Sequence, residues 1–370
     1  MVEHLIDVER VIGSNPVSRT IHTMITLGIE TSCDETALCI LQSSDENQYR
    51  VLSNIVHSQI ELHREFGGVF PMLAKREHIK NLPVIYDEVL KESGIKEADI
   101  NRIAVTNGPG LEPALWTGIV FANELGKKLD IPVIPVNHME GHIMASLLNK
   151  STTHSEYDSL REMQYPALAV LISGGHTEIV KISKPQSYEI LGSTVDDAVG
   201  EAFDKVARML KLPYPGGPEI SKRAELARVR GIKSEFTLPR PMIHSKDLRF
   251  SFSGLKTAVL YTLKNIENIT EEQVMGISRE FEDAVTDVLV SKTKLAIEEN
   301  EVRTLIVGGG VIANKHIREE FELLAQENGI PLLLPASNLT GDNALMIALV
   351  GAIKPSSGYE GFKAEGNLSF

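Results

Sequence analysis

Two segments of this chain, about 140 residues apart, open in the same way. Ile25 to Ile29 reads as a strand, Glu30-Thr31-Ser32-Cys33-Asp34-Glu35-Thr36 as a polar turn, and Ala37 to Leu41 as a returning strand. The order recurs in Ala167 to Ile172, Ser173-Gly174-Gly175-His176-Thr177 and Glu178 to Ile182. Each opening is followed later by a strand, a glycine loop and a helix. The first such unit is Ile103 to Thr106, Asn107-Gly108-Pro109-Gly110 and a helix from about Pro113 to Leu129. The second is Leu305 to Val307, Gly308-Gly309-Gly310-Val311-Ile312-Ala313-Asn314 and a helix. What repeats is pattern rather than residues, and it predicts an α/β domain that has been duplicated, with a cleft between the halves.

The polar, aperiodic stretch 150–164 reads as the connection, so the halves are expected at 25–150 and 165–353, with a helical insertion at about 196–300. Residues 1–24 read as an extension and 354–370 as a tail. Other elements fall between these marks. Val51 to Val56 is a third strand, and Met72 to Leu90 a long helix that Pro83 is expected to kink or divide. His57, His63 and His78 are too irregularly spaced to be assigned a role. In the second half, helices are expected at Gly200 to Ala207, after the Tyr214-Pro215-Gly216-Gly217-Pro218 turn, from Phe250 to Lys256 onward, and at Glu271 to Glu299.

A chain of 370 residues is long enough for two cores, and 42% hydrophobic with 24% charged residues is ordinary for a soluble globular protein. Cys33 and Cys39 are too few for a disulfide framework. No run of ~18 apolar residues exists to span a bilayer. Glu3, Asp7, Glu9 and Arg10 precede any apolar run, unlike a secretory signal. The expectation is a cytoplasmic protein with no membrane association. A formal charge of −13 argues against nonspecific nucleic-acid binding by the whole molecule. Residues 201–260 nevertheless hold twelve Lys or Arg against six Asp or Glu, which is +6 and leaves −19 for the rest. That segment is either a polyanion-facing surface or a solvated face of mixed charge. On the first reading, reversing Arg228 and Arg230 to Glu weakens polyanion binding.

His138 and His142 lie four residues apart at the start of a helix that follows the strand Ile131 to Val136, so both imidazoles share one face and could share one cation. Asp342, in Thr340-Gly341-Asp342-Asn343-Ala344, either caps the last helix or completes a His2Asp metal site. The two glycine loops place backbone N–H groups at helix starts, suited to phosphate, although tight turns use glycine without any ligand.

Five stretches together carry a resemblance. Gly28 to Thr36, His138 to His142, Ser173 to Thr177, Gly200 to Lys205 with Tyr214 to Pro218, and Gly308 to Asn314 occur in the order of the TsaD family of tRNA adenosine threonylcarbamoyltransferases, of the bacterial and organellar type. The resemblance covers roughly residues 25 to 353. It implies the duplicated ribonuclease-H-like architecture of actin, Hsp70 and sugar kinases. It also implies transfer of a threonylcarbamoyl group from threonylcarbamoyl-adenylate to the exocyclic amine of the adenosine beside the anticodon, in tRNAs reading codons that begin with A. By that likeness His138, His142 and Asp342 bind one divalent metal ion, iron or zinc. Leu171, Ile172, Ser173, Gly174, Gly175, Asp204, Gly217 and Asn314 match the positions that hold the adenylate. Small proteins of the TsaB and TsaE type are the implied partners, beside tRNA. Bulky Pro113 and Trp116, and Gly341 before Asp342, depart from the family's usual residues next to the helix that partners use.

An already activated anhydride donor needs no nucleophilic side chain, and none is evident. The amine proton could pass to the acidic turn after Gly28 or to His176. Two alternatives stand beside this reading. A metallopeptidase would carry H-E-x-x-H, whereas Met139 occupies the position of the glutamate here. A nucleotide-dependent kinase of the actin-like superfamily would bind Mg²⁺ through carboxylates and leave the His pair without a task.

Overall fold

A computed structural model describes residues 23–45, 47–149, 158–355 and 361–370. Most of the extension, residues 1–22, and most of the connection, 150–157, therefore lie outside the described residues. The first half comprises β1 (Thr23–Glu30), β2 (Glu35–Ser44), β3 (Gln48–Ser58), α1 (Ile60–Arg64), α2 (Pro71–Ser93), β4 (Arg102–Gly108), α3 (Glu112–Leu129), β5 (Val133–Asn137) and α4 (His138–Leu147). A two-residue strand, β6 (Asp158–Ser159), follows. The second half comprises β7 (Ala167–Ile172), β8 (Thr177–Lys184), β9 (Ser187–Ser193), α5 (Val199–Met209), α6 (Gly216–Arg230), α7 (Ser253–Lys264), α8 (Glu271–Asn300), β10 (Thr304–Gly308), α9 (Lys315–Asn328), β11 (Leu332–Leu333) and α10 (Ala344–Ile353).

The strand orders carry the duplication. The first sheet runs β5-β4-β1-β2-β3, with β6 added at its edge, and the second runs β11-β10-β7-β8-β9. In each, the opening strand pairs antiparallel with the next and parallel with the fourth, which pairs parallel with the fifth. Each fifth strand leads to one helix, α4 in the first half and α10 in the second, and these two are equivalent by position. They pack together between the sheets. Helices α2 and α3 cover the outer face of the first sheet, and α5, α8 and α9 belong to the core outside the second.

Because α10 is covered on every side, its sequence, Ala-Leu-Met-Ile-Ala-Leu-Val-Gly-Ala-Ile, is apolar all round, unlike a surface helix. Leu345, Met346, Ile347, Leu349 and Val350 are each buried, contributing about 1.5–3 kcal/mol apiece. The helix lies so close to the first sheet that a Cβ on Gly28 would stand 2.4 Å from the Ala344 carbonyl. Only glycine fits there.

Three expectations change. First, α2 is unbroken through Pro83: Pro83 lies on the exposed face, while the buried stripe Ala74, His78, Leu82, Ile85, Tyr86 and Val89 continues past it and holds the helix to the sheet on both sides. Second, the Asn107–Gly110 loop is no phosphate cradle. The tail fills it: Glu365 N donates to Asn107 O at 2.8 Å and Gly110 N to Gly366 O at 3.1 Å. Third, residues 361–370 form a strap across both halves. Phe362 and Ala364 join the first core, and the Phe370 ring lies 4.8 Å from Tyr188 of the second sheet. Among the described residues no helix is long and apolar enough to cross a membrane.

Candidate functional site

The equivalence of α4 and α10 puts their N-terminal ends side by side, and three potential ligands meet there. Asn137 caps α4, its Oδ1 accepting from Met139 N at 2.8 Å, so that His138 is the first helical residue and His142 follows one turn later. At α10 the cap is Asn343, whose side chain accepts from Met346 N at 3.2 Å. Asp342 is thereby released from the capping role and faces the histidines. His138 Nε2 and His142 Nε2 both stand 3.3 Å from Asp342 Oδ1, and the two rings lie almost perpendicular, at 88°.

Several observations fit this group to a cation. One ligand atom from each residue lies within 4.8 Å of the others. His142 Nε2 is buried and, although it lies 3.3 Å from Asp342 Oδ1, makes no well-aligned hydrogen bond. Burial opposes charge on Asp342, yet the two histidines outweigh it and hold the carboxyl far below its usual range. Burial likewise opposes a charged His138, but Asp342 and Glu30 keep that ring protonated well above the usual imidazole range. The site thus holds a proton where a divalent ion would compete for the same nitrogen.

Glu30 is the functional residue that sequence reasoning passed over, counting it only as one polar residue of the turn. It is fully buried at the end of β1, where its Oε2 accepts from His138 Nδ1 at 3.0 Å and from Thr106 Oγ1 at 2.6 Å, and its Oε1 from Ser32 N at 2.5 Å. Burial raises its pKa, but the His138 charge wins and keeps it ionised. A carboxylate on the far nitrogen fixes the tautomer and aims Nε2 at the metal position. The available signal was a carboxylate closing an otherwise apolar strand.

Two turns flank the group. From the first half, Ser32 Oγ lies 3.3 Å from His138 Nδ1, and Asp34 and Glu35 follow. Burial, then the charges of Asp34 and Asp342, push the Glu35 carboxyl well above its usual range. From the second half comes Ser173 to His176. Burial, with His138 and His142 beside it, lowers His176 to about 4, which places it in the same field. A Cβ added at Gly174 or Gly175 would meet no atom within 4 Å, and Gly217 and Gly310 are equally open. Gly309 is the opposite: at φ +95° its Cβ would sit 2.4 Å from the Ile172 carbonyl.

The remaining predicted residues fall into two kinds. Leu171 and Ile172 have fully buried side chains and bring only backbone to the turn. Asp204 Oδ1 accepts from Gly216 N at 2.6 Å, fixing the start of α6 and with it Gly217. Asn314 caps α9, its Oδ1 accepting from Ile317 N at 3.0 Å, while its Nδ2 donates to Glu282. Its amide is therefore engaged on both sides.

The basic segment needs correction as well. Arg228 is bound to Glu282 and Asp283 of α8, and Arg240 to Glu280 and Asp287. Exposed Arg230, Lys222 and Lys233 remain for solvent or a polyanion. Reversal of Arg228 would strip a buried Glu282 of its counter-charge, leaving it only the Asn314 amide, so that half of the double substitution reports on folding.

Glu140 settles the peptidase alternative. It pairs with Lys354 Nζ at 2.7 Å and accepts from Tyr188 OH at 3.2 Å, away from the histidines, so it is no water-activating base.

Two α/β halves of one strand order, meeting where a His-His-Asp group lies at equivalent helix ends, have the duplicated ribonuclease-H-like fold of the actin, Hsp70 and sugar-kinase type. The solved structure of full-length HypF in its phosphate- and nucleotide-bound form is similar in fold: TM-score 0.54 at 14% identity, covering 91% of this chain and 47% of that one. A family model described as tRNA N6-adenosine threonylcarbamoyltransferase matches residues 50–349. A protein of that name from Thermosipho melanesiensis is 46% identical over 328 residues, 89% of this chain and 94% of its own length. Another, from Burkholderia mallei, is 44% identical over 337 residues, 90% and 92% of the two chains. The chain belongs to the TsaD family of tRNA N6-adenosine threonylcarbamoyltransferases. It is an acyltransferase that modifies tRNA.

Proposed function

We propose that the donor is threonylcarbamoyl-adenylate and the acceptor the N6 amine of the adenosine beside the anticodon in tRNAs reading codons that begin with A. The observation that carries this is the meeting of His138, His142 and Asp342 between two turns of opposite character. These three residues would hold one divalent metal ion, and His2Asp suits iron or zinc. Bound there, the ion supplies charge stabilisation for the donor. Backbone N–H groups of Gly174 and Gly175, in open space, face the carbonyl oxygen and phosphate as charge develops on them. Asp204 presents Gly217, and the Gly308–Gly310 loop, with Asn314 behind it, offers backbone to the flat adenine ring.

As the amine nitrogen bonds to the carbonyl carbon, the bond from that carbon to the phosphate oxygen breaks, AMP leaves, and the amine loses a proton. That proton passes to the acidic turn, where Glu35, its carboxyl pushed well above the usual range by burial and by the Asp34 and Asp342 charges, is the stronger base. Small partners of the TsaB and TsaE type dock on the outer face of the first half, where Trp116 and Val120 of α3 and Ile79 of α2 are exposed. Exposed Arg230, Lys222 and Lys233 meet tRNA phosphates. The experiment is incubation of the purified, metal-loaded chain with threonylcarbamoyl-adenylate and tRNA, with and without the partners, followed by mass spectrometry of digested nucleosides. Threonylcarbamoyladenosine is the expected product; its absence under every combination overturns the proposal.

A further inference from the structure

Behind the acidic turn lies a buried chain of uncharged polar groups that the chemistry above does not use. Gln59, His63 and His78 are each at most 1% exposed. His78 Nε2 lies 3.0 Å from the Cys33 carbonyl, and His78 Nδ1 lies 2.8 Å from Thr36 Oγ1 and 3.3 Å from Gln59 Nε2. Gln59 Oε1 is 3.3 Å from His63 Nε2, and His63 Nδ1 accepts from Phe70 N, at the cap of α2, at 3.3 Å.

Both ends of the chain fix its direction. A carbonyl only accepts, so His78 Nε2 carries the proton and Nδ1 accepts. A backbone N–H only donates, so His63 Nδ1 accepts and Nε2 carries the proton toward Gln59 Oε1. The Gln59 amide is then oriented with Nε2 toward His78, and every link has one donor and one acceptor. Burial pushes both imidazoles below their usual pKa, in keeping with neutral rings. Gln59 N also donates to the Asp34 carbonyl at 2.9 Å. The chain therefore grips the turn at Cys33, Asp34 and Thr36, at residues other than Ser32, which meets His138.

We infer that His78 is a positioning residue, which through this one-directional hydrogen-bond chain holds the Cys33–Glu35 turn, and its two carboxyls, in place beside the metal-ligating group. The inference rests on the function proposed above for what the turn does, but not for how it is held.

Two variants test this. His78→Phe fills the space and removes both bonds, whereas His78→Gln retains an N–H for the Cys33 carbonyl. Three readings are made on the zinc-loaded, full-length chain: kcat and KM for threonylcarbamoyl-adenylate, zinc content, and the alkylation rate of Cys33, the partly exposed one of the two cysteines. For His78→Phe, kcat falls about 10-fold or more at nearly constant KM, as outer partners of a site typically cost. Zinc content stays that of the parent, and Cys33 reacts about 10-fold faster as the turn opens. His78→Gln regains most of both. Cys33 reacting at the parental rate in His78→Phe overturns the inference, as does a kcat loss matched by an equal loss of zinc. If His78→Phe does not fold, Gln59→Leu, which breaks the chain one link back, is held to the same alkylation criterion. A parent that makes no modified nucleoside sinks the proposed function, while the alkylation arm still decides this one.

Discussion

The β1–β2 turn and the β7–β8 turn occupy equivalent places in two sheets of one strand order, yet they are built in opposite ways. The first is dense with side chains. Glu30, Thr31, Ser32 and Asp34 are buried, its carboxyls converge on His138 and the cleft, and His78 holds it from behind. The second is nearly bare: Ser173 N and His176 O close it at 2.9 Å, and Gly174 and Gly175 leave backbone facing open space. On the proposed function, one turn organises a cation and a base, and the other an anion, so that duplication supplies two positions that serve different parts of one reaction.

If that division holds, damage to each turn should fail in its own way. Asp342→Ala or His142→Ala, which remove a ligand outright, should cost the most. Metal content by elemental analysis drops to background, and nucleoside modification falls by more than about 100-fold, beyond what outer partners cost. Glu30→Gln comes next. Its loss of charge behind His138 weakens zinc affinity about 30-fold in a chelator competition, with tRNA affinity unchanged. On the other turn, Gly174→Val has room for its side chain. It should fold and bind zinc as the parent does but show a KM for the adenylate raised about 10-fold, by loss of the backbone approach. Zinc loss in Gly174→Val would break the comparison. The smallest effect belongs to the basic segment. Arg230→Glu leaves thermal stability unchanged and weakens tRNA binding a few-fold, lowering the salt slope by about 1.

Much of this was legible in the chain because periodic burial writes itself into sequence. The opening strands, the α4 histidines and the long α8 all fall where apolar spacing placed them. The choice between two roles for Asp342 was not legible, since Asp and Asn are equally good caps and only geometry assigns the task to Asn343. Long-range partners were likewise hidden. Nothing local to Arg228 announces Glu282 and Asp283, and nothing in the Asn107–Gly110 loop announces that Gly366, 256 residues later, will fill it. His63 and His78 looked unrelated because their spacing fits no single element; the α1–α2 corner brings them together through Gln59.

The most direct test of this division of labour is the anomalous signal at the zinc edge from crystals grown with zinc and a non-reactive analogue of the adenylate. One strong peak is expected about 2.0–2.2 Å from His138 Nε2, His142 Nε2 and an Asp342 carboxylate oxygen. The analogue's phosphate is expected within hydrogen-bond reach of the Gly174–Gly175 backbone. A peak that excludes Asp342, or a phosphate seated on the Asp34–Glu35 side, would contradict it.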